Sequence, residues 1–322
     1  MISELAASTN ELTALQPRQF IGIPIALVGA VFLSLGAQFQ HRGVTKVERN
    51  TAHDGRGGLQ VKQLALLLAR PSWVFGTLML GLAVVLQLIS LAFSPLIVVQ
   101  PLGAISLVIT AIVNARVSHT RLNKRSIVAI CLCVGGVGAF VLVAAFAAVE
   151  TPVTDQQLVQ ILIVLGSVVV VFGAAFWFLR KRLLALGYVV GAGVLYGFVA
   201  TLAKAIISRI EQQQFTWLTW VCAIALLAAV ALGAYFVQNA YASGPPDLVV
   251  AGLTVIDPVV AVTIGIVILN EAAGAAAWQM AAFVVTGVIA IIGVFILARV
   301  HPGMRSYDDV ADTKTAGEQG PA

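Results

Sequence analysis

A single carboxylic acid lies deep inside one of the long apolar segments of this 322-residue sequence. Asp257 stands about ten residues into the run Leu248–Asn270. At ~1.5 Å per residue, a helical run would place this carboxyl near the middle of a lipid bilayer. An ionisable side chain at that depth costs roughly 2.5–3.5 kcal/mol on the insertion scale, so it needs a partner or a function. We predict that Asp257 couples proton exchange to passage of a cationic or polar substrate; the alternative is a carboxyl that only fixes helix packing.

Polar residues in other apolar segments could line a cavity that faces this carboxyl. Pro258 leaves the carbonyl of Thr254 without its helical donor, at the depth of Asp257. Hydroxyls and amides inside membrane helices also bond to neighbouring helices, which is the structural alternative for each candidate. The predicted lining side chains are Ser106, Thr110, Asn114, Gln87, Gln100, Tyr196 and Thr254.

Polar residues at two helix ends are candidate gates. Gln238 and Asn239 precede a Ser-Gly-Pro-Pro turn, and Glu271 follows the run that contains Asp257. For Glu271, the alternative is a solvated helix end. Lys204 lies near the end of its own run, and we expect its ammonium to reach the lipid headgroups.

No catalytic or metal-binding arrangement is visible in the sequence. The four histidines lie in loops or in the tail without ligand spacing, and the three cysteines fall inside apolar runs. No GxxxxGK[ST] phosphate-binding loop is present. We therefore expect no enzyme activity, no cofactor, no resident metal and no ATP-driven transport by this chain alone.

The composition defines the class of protein. Hydrophobic residues make up 60% of the chain and charged residues only 10%, against roughly 25% charged residues in an average soluble domain. This excludes an ordinary soluble enzyme and predicts an all-α, polytopic membrane protein, since one span needs ~20 apolar residues. The nine predicted spans are Phe20–Gln38, Pro71–Phe93, Pro95–Val117, Ser126–Ala148, Leu158–Leu179, Leu183–Ile206, Trp217–Gln238, Leu248–Asn270 and Ala276–Ala298.

The basic residues predict the orientation of these spans. Of the 19 Lys and Arg residues, 16 fall on one side of the nine-span arrangement, which marks that side as cytoplasmic. The N-terminus is then outside and the C-terminus inside. The predicted segments are an extracytoplasmic tail 1–19, a first repeat 20–149 with four helices and a cytoplasmic loop 39–70, a second repeat 150–299 with five helices, and a disordered cytoplasmic tail 300–322.

The two halves match at a constant offset. Shifting the chain by 151 residues aligns Pro95–Val143 with Pro246–Val294 without a gap and places Ser106 opposite Asp257. The matched helices run in opposite directions, which is typical of inverted-repeat transporters with a substrate site near the midplane.

Two motifs resemble a known family. The stretch SPLIVVQPLGAIS at 94–106 resembles a signature of NIPA-like proteins in the drug/metabolite transporter superfamily, and Asp257-Pro258, Glu271 and Gly287 resemble the EamA-type pattern. The resemblance implies a secondary transporter and makes Mg²⁺ a candidate substrate. It also implies a plan of five plus five helices, of which the first half would lack one, and Thr120 stands where an acid is often found in the family.

The sequence thus predicts a secondary transporter or facilitator for a small metabolite, drug or cation, working by alternating access around Asp257. One alternative is a flippase for an amphipathic or lipid-linked precursor, with Arg42, Lys46 and Lys124 available for its phosphate. Another is a non-transporting scaffold, which would have no central polar cavity. The expected partners are membrane lipid, the small substrate and a second copy of the chain in a homodimer, but no nucleic acid; the expected location is the plasma membrane.

Overall fold

A computed structural model describes residues 19–51, 70–117, 123–179, 185–244 and 246–300. The predictions for the N-terminal tail, for most of the loop 39–70, for Thr120 and for the C-terminal tail lie outside these residues. The described part is built from ten helices: α1 Gln19–Thr51, α2 Pro71–Phe93, α3 Leu96–Leu102, α4 Ile105–Val117, α5 Lys124–Ala147, α6 Asp155–Leu179, α7 Ala185–Glu211, α8 Trp217–Ser243, α9 Pro246–Val267 and α10 Ala277–Val300.

Nine segments of the described residues are long and apolar enough to cross a membrane, with α3 and α4 forming one of them. The predicted all-α polytopic fold is confirmed. Large apolar side chains cover the outside of the bundle, for example Leu78, Ile224 and Val284, each about two-thirds exposed. Four tryptophans near helix ends are also exposed: Trp177, Trp217, Trp220 and Trp278. Such a surface is suited to lipid rather than to water.

Helix α1 differs from its predicted length. It continues to Thr51, well past the predicted end at Gln38. The prediction ended where the apolar run ended, but the charged residues that follow are compatible with a helix in water, and no proline interrupts them before Pro71.

Close helix pairs organise the bundle. α1 packs along α2, α5 along α10, and α7 along both α8 and α9. Glycines permit two of these approaches: a Cβ on Gly76 would lie 2.6 Å from the amide nitrogen of Gln40, and a Cβ on Gly136 would lie 2.5 Å from the amide nitrogen of Ala290. Small residues therefore bring the helix backbones together, as is common in membrane bundles. α6 is peripheral and packs only lightly on α7 and α8.

The third span is broken next to a proline. Pro101 lacks an amide hydrogen, so it cannot continue the hydrogen-bond ladder of α3. The chain instead makes two tighter turns, in which the Gly103 amide donates to Gln100 and the Ala104 amide donates to Pro101. Helix α4 then starts at Ile105. The single span predicted over Pro95–Val117 is thus interrupted after Pro101 and divided into two helices, and the interruption lines the candidate site.

Candidate functional site: a central cavity and an outer charged cluster

A cavity of about 420 Å³ lies between the helices of the bundle and is partly open to the surface at Leu33, Val84 and Leu88. Its walls come from α1, α2, the α3–α4 break, α7 and α9. Most of its lining is apolar. Six polar side chains also line it, all of them predicted from the sequence: Gln87, Gln100, Ser106, Tyr196, Thr254 and Asp257. We refer to this space as the central cavity.

Asp257 is held in the wall by the packing of α9 against α7. A Cβ on Gly193 would lie 2.7 Å from Ile256, and a Cβ on Gly197 would lie 2.7 Å from Val260. The two glycines therefore let α7 contact α9 on both sides of Asp257. The Oδ1 atom of Asp257 is buried and has no hydrogen-bond partner among the described residues. An acceptor in this state is costly unless a ligand, a proton or water satisfies it.

Three further polar side chains face the central cavity without an internal partner. Within the described part of the chain, the amides of Gln87 and Gln100 and the hydroxyl of Tyr196 make no hydrogen bond. Tyr196 and Asp257 line the same cavity. Gln87 and Gln100 also make no hydrogen bond to each other. Their donors and acceptors are available to a solute.

The two hydroxyls in the cavity wall both donate hydrogen bonds to nearby backbone carbonyls of their own chain segment. Ser106 Oγ donates to the Gly103 carbonyl over 2.7 Å, across the α3–α4 break. Thr254 Oγ1 donates to the Val250 carbonyl over 2.7 Å, one turn earlier on α9. Each hydroxyl can still accept a hydrogen bond from a solute through its oxygen lone pairs, but its proton is already donated to a backbone carbonyl.

The remaining candidates lie elsewhere. Thr110 Oγ1 donates to the Ser106 carbonyl and is 2.8 Å from Ser34 Oγ, so it joins α4 to α1 rather than lining the cavity. Asn114 is also outside the cavity lining. Gln238 and Asn239 lie at the end of α8, where the Asn239 amide donates to the Tyr235 carbonyl. The structure brings neither of these two to the cavity.

Glu271 belongs to a second polar group, near the end of the bundle that the charge bias assigns to the outside. It is 3% exposed, so it is not a solvated helix end. Its Oε1 and Oε2 accept hydrogen bonds from the amides of Leu96 and Ile97, both over 2.8 Å. Burial raises the pKa of this carboxyl, whereas the two amides and the nearby Lys204 ammonium act in the opposite direction.

Lys204 also differs from expectation, because it is buried and does not reach the headgroups. Its side chain is 5% exposed and is paired with Glu150. The ammonium also donates to the carbonyls of Leu91 and Ser94, over 2.7 and 3.1 Å. We call Lys204, Glu150 and Glu271 the outer cluster. This grouping was not predicted from the sequence, although all three residues lie at span ends on the same predicted side of the membrane.

A separate apolar groove of about 300 Å³ lies between α5, α9 and α10. It shares Ala104, Thr254 and Pro258 with the central cavity, so the two spaces abut at the α3–α4 break. The Thr263 hydroxyl in this groove is already hydrogen-bonded, because it donates to the Val259 carbonyl. The groove therefore offers apolar contact, whereas the central cavity offers polar contact.

These observations bear on the alternatives. A non-transporting scaffold predicted no central polar cavity, and the cavity at Asp257 argues against it. Of the bases considered for a flippase, Lys124 is exposed, while the side chains of Arg42 and Lys46 lie outside the described part. No group of three metal-ligating side chains occurs in the residues that the structure describes.

Comparison with known proteins places the chain among membrane transporters. A family profile described as magnesium transporter NIPA matches residues 18–302. An uncharacterized protein of Corynebacterium glutamicum is 26% identical over 283 residues, covering 87% of this chain and 95% of its own length. The probable magnesium transporters NIPA4 and NIPA3 of Arabidopsis thaliana are 28% identical over 121 residues and 27% identical over 115 residues. These two matches cover 38% and 36% of this chain and 34% and 30% of the plant proteins. No solved structure matches the chain.

Proposed function

This chain belongs to the magnesium transporter NIPA family, and we propose that it carries a small cation, Mg²⁺ in the first instance, by alternating access around Asp257. It is a multi-pass membrane transporter rather than an enzyme. Its placement in the plasma membrane and its assembly as a homodimer stay predictions. The observation that carries the proposal is the buried, unpartnered Oδ1 of Asp257 in the wall of the central cavity.

The chemistry of the lining favours a hydrated ion. Mg²⁺ loses its water reluctantly and is usually bound through one or two carboxylates with several waters retained. The cavity offers one carboxylate, Asp257, together with the uncommitted amides of Gln87 and Gln100. Six waters at about 30 Å³ each occupy about 180 Å³, which is less than the 420 Å³ of the cavity. A hydrated ion fits, with waters bridging it to the amide and hydroxyl groups.

The charge balance of the cavity supports a cation over an anion. Among its six polar lining residues only Asp257 is ionisable near neutral pH, and no base lines the cavity in the part described. A proton on Asp257 and a cation beside it would each neutralise the same carboxylate, so the two would not be bound at the same time. Exchange of one for the other would couple the cation to a proton moving in the opposite direction.

The position of the cavity supports alternating access. Its walls combine helices from both halves of the chain, α1 to α4 on one side and α7 and α9 on the other. The break between α3 and α4 lies in one wall, and Pro258 lies within the helix of the other. Discontinuous helices at the midplane, contributed by two related halves, are typical of sites that open alternately to either side.

The test is Mg²⁺ uptake into proteoliposomes that contain a magnesium-sensitive dye. We expect wild-type protein to transport and Asp257→Asn to lose at least about tenfold in rate, because the isosteric amide removes the only carboxylate and with it the stronger, charged interactions. Thr263→Val is the matched control on the same helix. Its hydroxyl is bonded to the Val259 carbonyl outside the central cavity, so uptake should stay within about twofold.

Folding is followed in parallel by gel filtration and thermal unfolding of each variant. A folded Asp257→Asn protein that transports Mg²⁺ at the wild-type rate would overturn the role of this carboxyl. If other divalent ions or organic cations were transported faster than Mg²⁺, the proposed site would stand, but Mg²⁺ would not be its main substrate.

A further inference from the structure

The outer cluster is an unusual use of charge inside a membrane protein. Lys204 is 4% exposed and Glu271 is 3% exposed. A buried ammonium is stable only when it is paired and its protons are accepted. Lys204 meets this condition with three partners: Glu150 and the carbonyls of Leu91 and Ser94.

The cluster holds the α2–α3 turn from two directions. Lys204, on α7, binds the carbonyl oxygens at the end of α2, at Leu91 and Ser94. Glu271, just beyond α9, binds the first amides of α3, at Leu96 and Ile97. The turn is therefore clamped between two segments from the second half of the chain.

The connection between the two halves is attached to the same place. The Val149 amide donates to the carbonyl of Glu271 over 2.7 Å, and Thr151 Oγ1 donates to the carbonyl of Leu269 over 3.1 Å. Asn270, between these two acceptors, has a φ of 56°. This left-handed conformation ends the helical stretch and turns the chain so that Glu271 points back towards α3.

The clamp lies immediately beside the central cavity. Leu91, whose carbonyl binds Lys204, lines the cavity, and so does Ala203, the neighbour of Lys204 on α7. The segments joined by the clamp are thus the ones that form the cavity wall at this end. Their separation would therefore widen this end of the cavity.

We propose that Lys204, Glu150 and Glu271 form the outer gate of the central cavity, and that the gate opens when the Lys204 ammonium leaves Glu150 and the α2–α3 turn. These three are positioning residues: they control access and do not bind the transported ion. The proposal rests on the proposed function for its purpose, since it takes the central cavity as the transport route.

The energetics of the clamp suit two discrete states. In the closed state every charged group of the cluster has a partner; Lys204 and Glu271 are buried, and Glu150 is 24% exposed. In the open state water solvates the ammonium and both carboxylates, which offsets the lost contacts. An intermediate state, with one charge separated but still buried, is the costly one. A gate of this kind is either closed or open.

A second buried base on the same helix provides a matched control. Arg209 is 2% exposed and pairs with Asp155 at the start of α6 and with Gln214 after α7. All three residues belong to the second half of the chain, and the pair does not touch the α2–α3 turn. It resembles Lys204 in charge, burial and pairing but cannot hold the gate.

The experiment measures access to the cavity from outside. Cys131, Cys133 and Cys222 are replaced by alanine, and Ala200→Cys is introduced in the cavity wall as the only thiol. A membrane-impermeant methanethiosulfonate reagent is added to right-side-out vesicles, and separately to inside-out vesicles. We expect Lys204→Met to raise the outside labelling rate at least about tenfold, since it shifts the closed–open equilibrium, while Arg209→Gln stays within about twofold of the parent.

Glu150→Gln keeps the test valid if Lys204→Met does not fold. It leaves the two carbonyl contacts of Lys204 intact, so we expect a smaller rise than for Lys204→Met, again only from the outside. Wild-type labelling rates in a folded Glu150→Gln protein and in any folded Lys204 variant would overturn the gate. So would a rise seen only in inside-out vesicles, or an equal rise in Arg209→Gln. Because labelling requires no Mg²⁺, the gate can fail while the Asp257 transport result stands, and the reverse.

Discussion

The central cavity and the outer cluster use similar side chains in opposite ways. Each contains a buried or half-buried carboxylate next to other polar groups in an otherwise apolar bundle. In the outer cluster, both oxygens of Glu271 accept backbone amides, and Lys204 has three partners. In the central cavity, Oδ1 of Asp257 has no partner among the described residues. The satisfied group holds segments together, and the unsatisfied group is available to bind.

Both regions also depend on main-chain groups at interruptions of the membrane helices. The outer cluster depends on main-chain groups released where α2 ends and α3 begins, at Ser94 and Leu96. The central cavity depends on the second interruption of the same span, after Pro101. The stretch from Leu91 to Ala104 therefore supplies both the anchor for the outer cluster and the broken wall of the cavity.

The largest effect should come from removing the satisfied carboxylate. Glu271→Ala leaves the amides of Leu96 and Ile97 without acceptors, and breaking a buried charged contact of this kind costs about 3–5 kcal/mol. Thermal unfolding in detergent should show a large fall in Tm. Asp257→Asn should leave Tm unchanged or raise it, because its buried oxygen has no partner to lose. Equal losses in the two variants would remove the distinction between the two regions.

A second effect should come from separating the helices that position Asp257. In Gly197→Val the new Cβ would lie 2.7 Å from Val260 and 3.0 Å from the carbonyl of Asp257. Overpacking of this kind costs about 1–3 kcal/mol, and we expect it to displace α9 and to lower Mg²⁺ uptake strongly.

Gly138→Val is the control for that substitution, because nothing lies within 4 Å of a Cβ at Gly138. It should retain wild-type Tm and uptake. If both glycine variants behave alike, the close approach of α7 and α9 is not what holds Asp257 in place.

The smallest effects should distinguish polar groups of the cavity that already have an internal hydrogen-bond partner from those that have none. Gln100→Leu removes an amide with no internal partner, and the loss of one hydrogen bond of about 0.5–1.5 kcal/mol should raise the KM for Mg²⁺ roughly two- to tenfold. Ser106→Ala removes a hydroxyl already bonded to Gly103, so KM should change less than about twofold. A larger effect at Ser106 than at Gln100 would reverse the assignment of these two residues.

The spans and the main polar lining of the cavity were accessible from the sequence. Apolar runs are local signals, so the sequence alone predicts the bounds of the helix Pro71–Phe93 correctly. Depth within a span is also local, which is why Asp257 and Tyr196 could each be assigned to the middle of a span. Both line the same cavity.

The faces of helices and the pairing at their ends were harder to predict. Thr110 follows Ser106 by one turn on the same helix, but its hydroxyl contacts Ser34 on α1. Which helix covers a given turn of α4 depends on tertiary packing, which leaves no local signal in the sequence. The outer cluster depends on the path of the 148–155 connection and on the left-handed turn at Asn270. Neither leaves a periodic signal in the sequence, so Lys204 was expected at the lipid headgroups, and the sequence did not predict which groups Glu271, a candidate gate, would contact.

The central claim is that the unsatisfied carboxylate of Asp257 binds the transported cation. Isothermal titration calorimetry of MgCl₂ into purified protein tests it without the complications of transport direction or rate. We predict saturable binding to the wild-type protein and none to a folded Asp257→Asn variant over the same concentration range. Binding of Mg²⁺ to Asp257→Asn with wild-type affinity would contradict the claim.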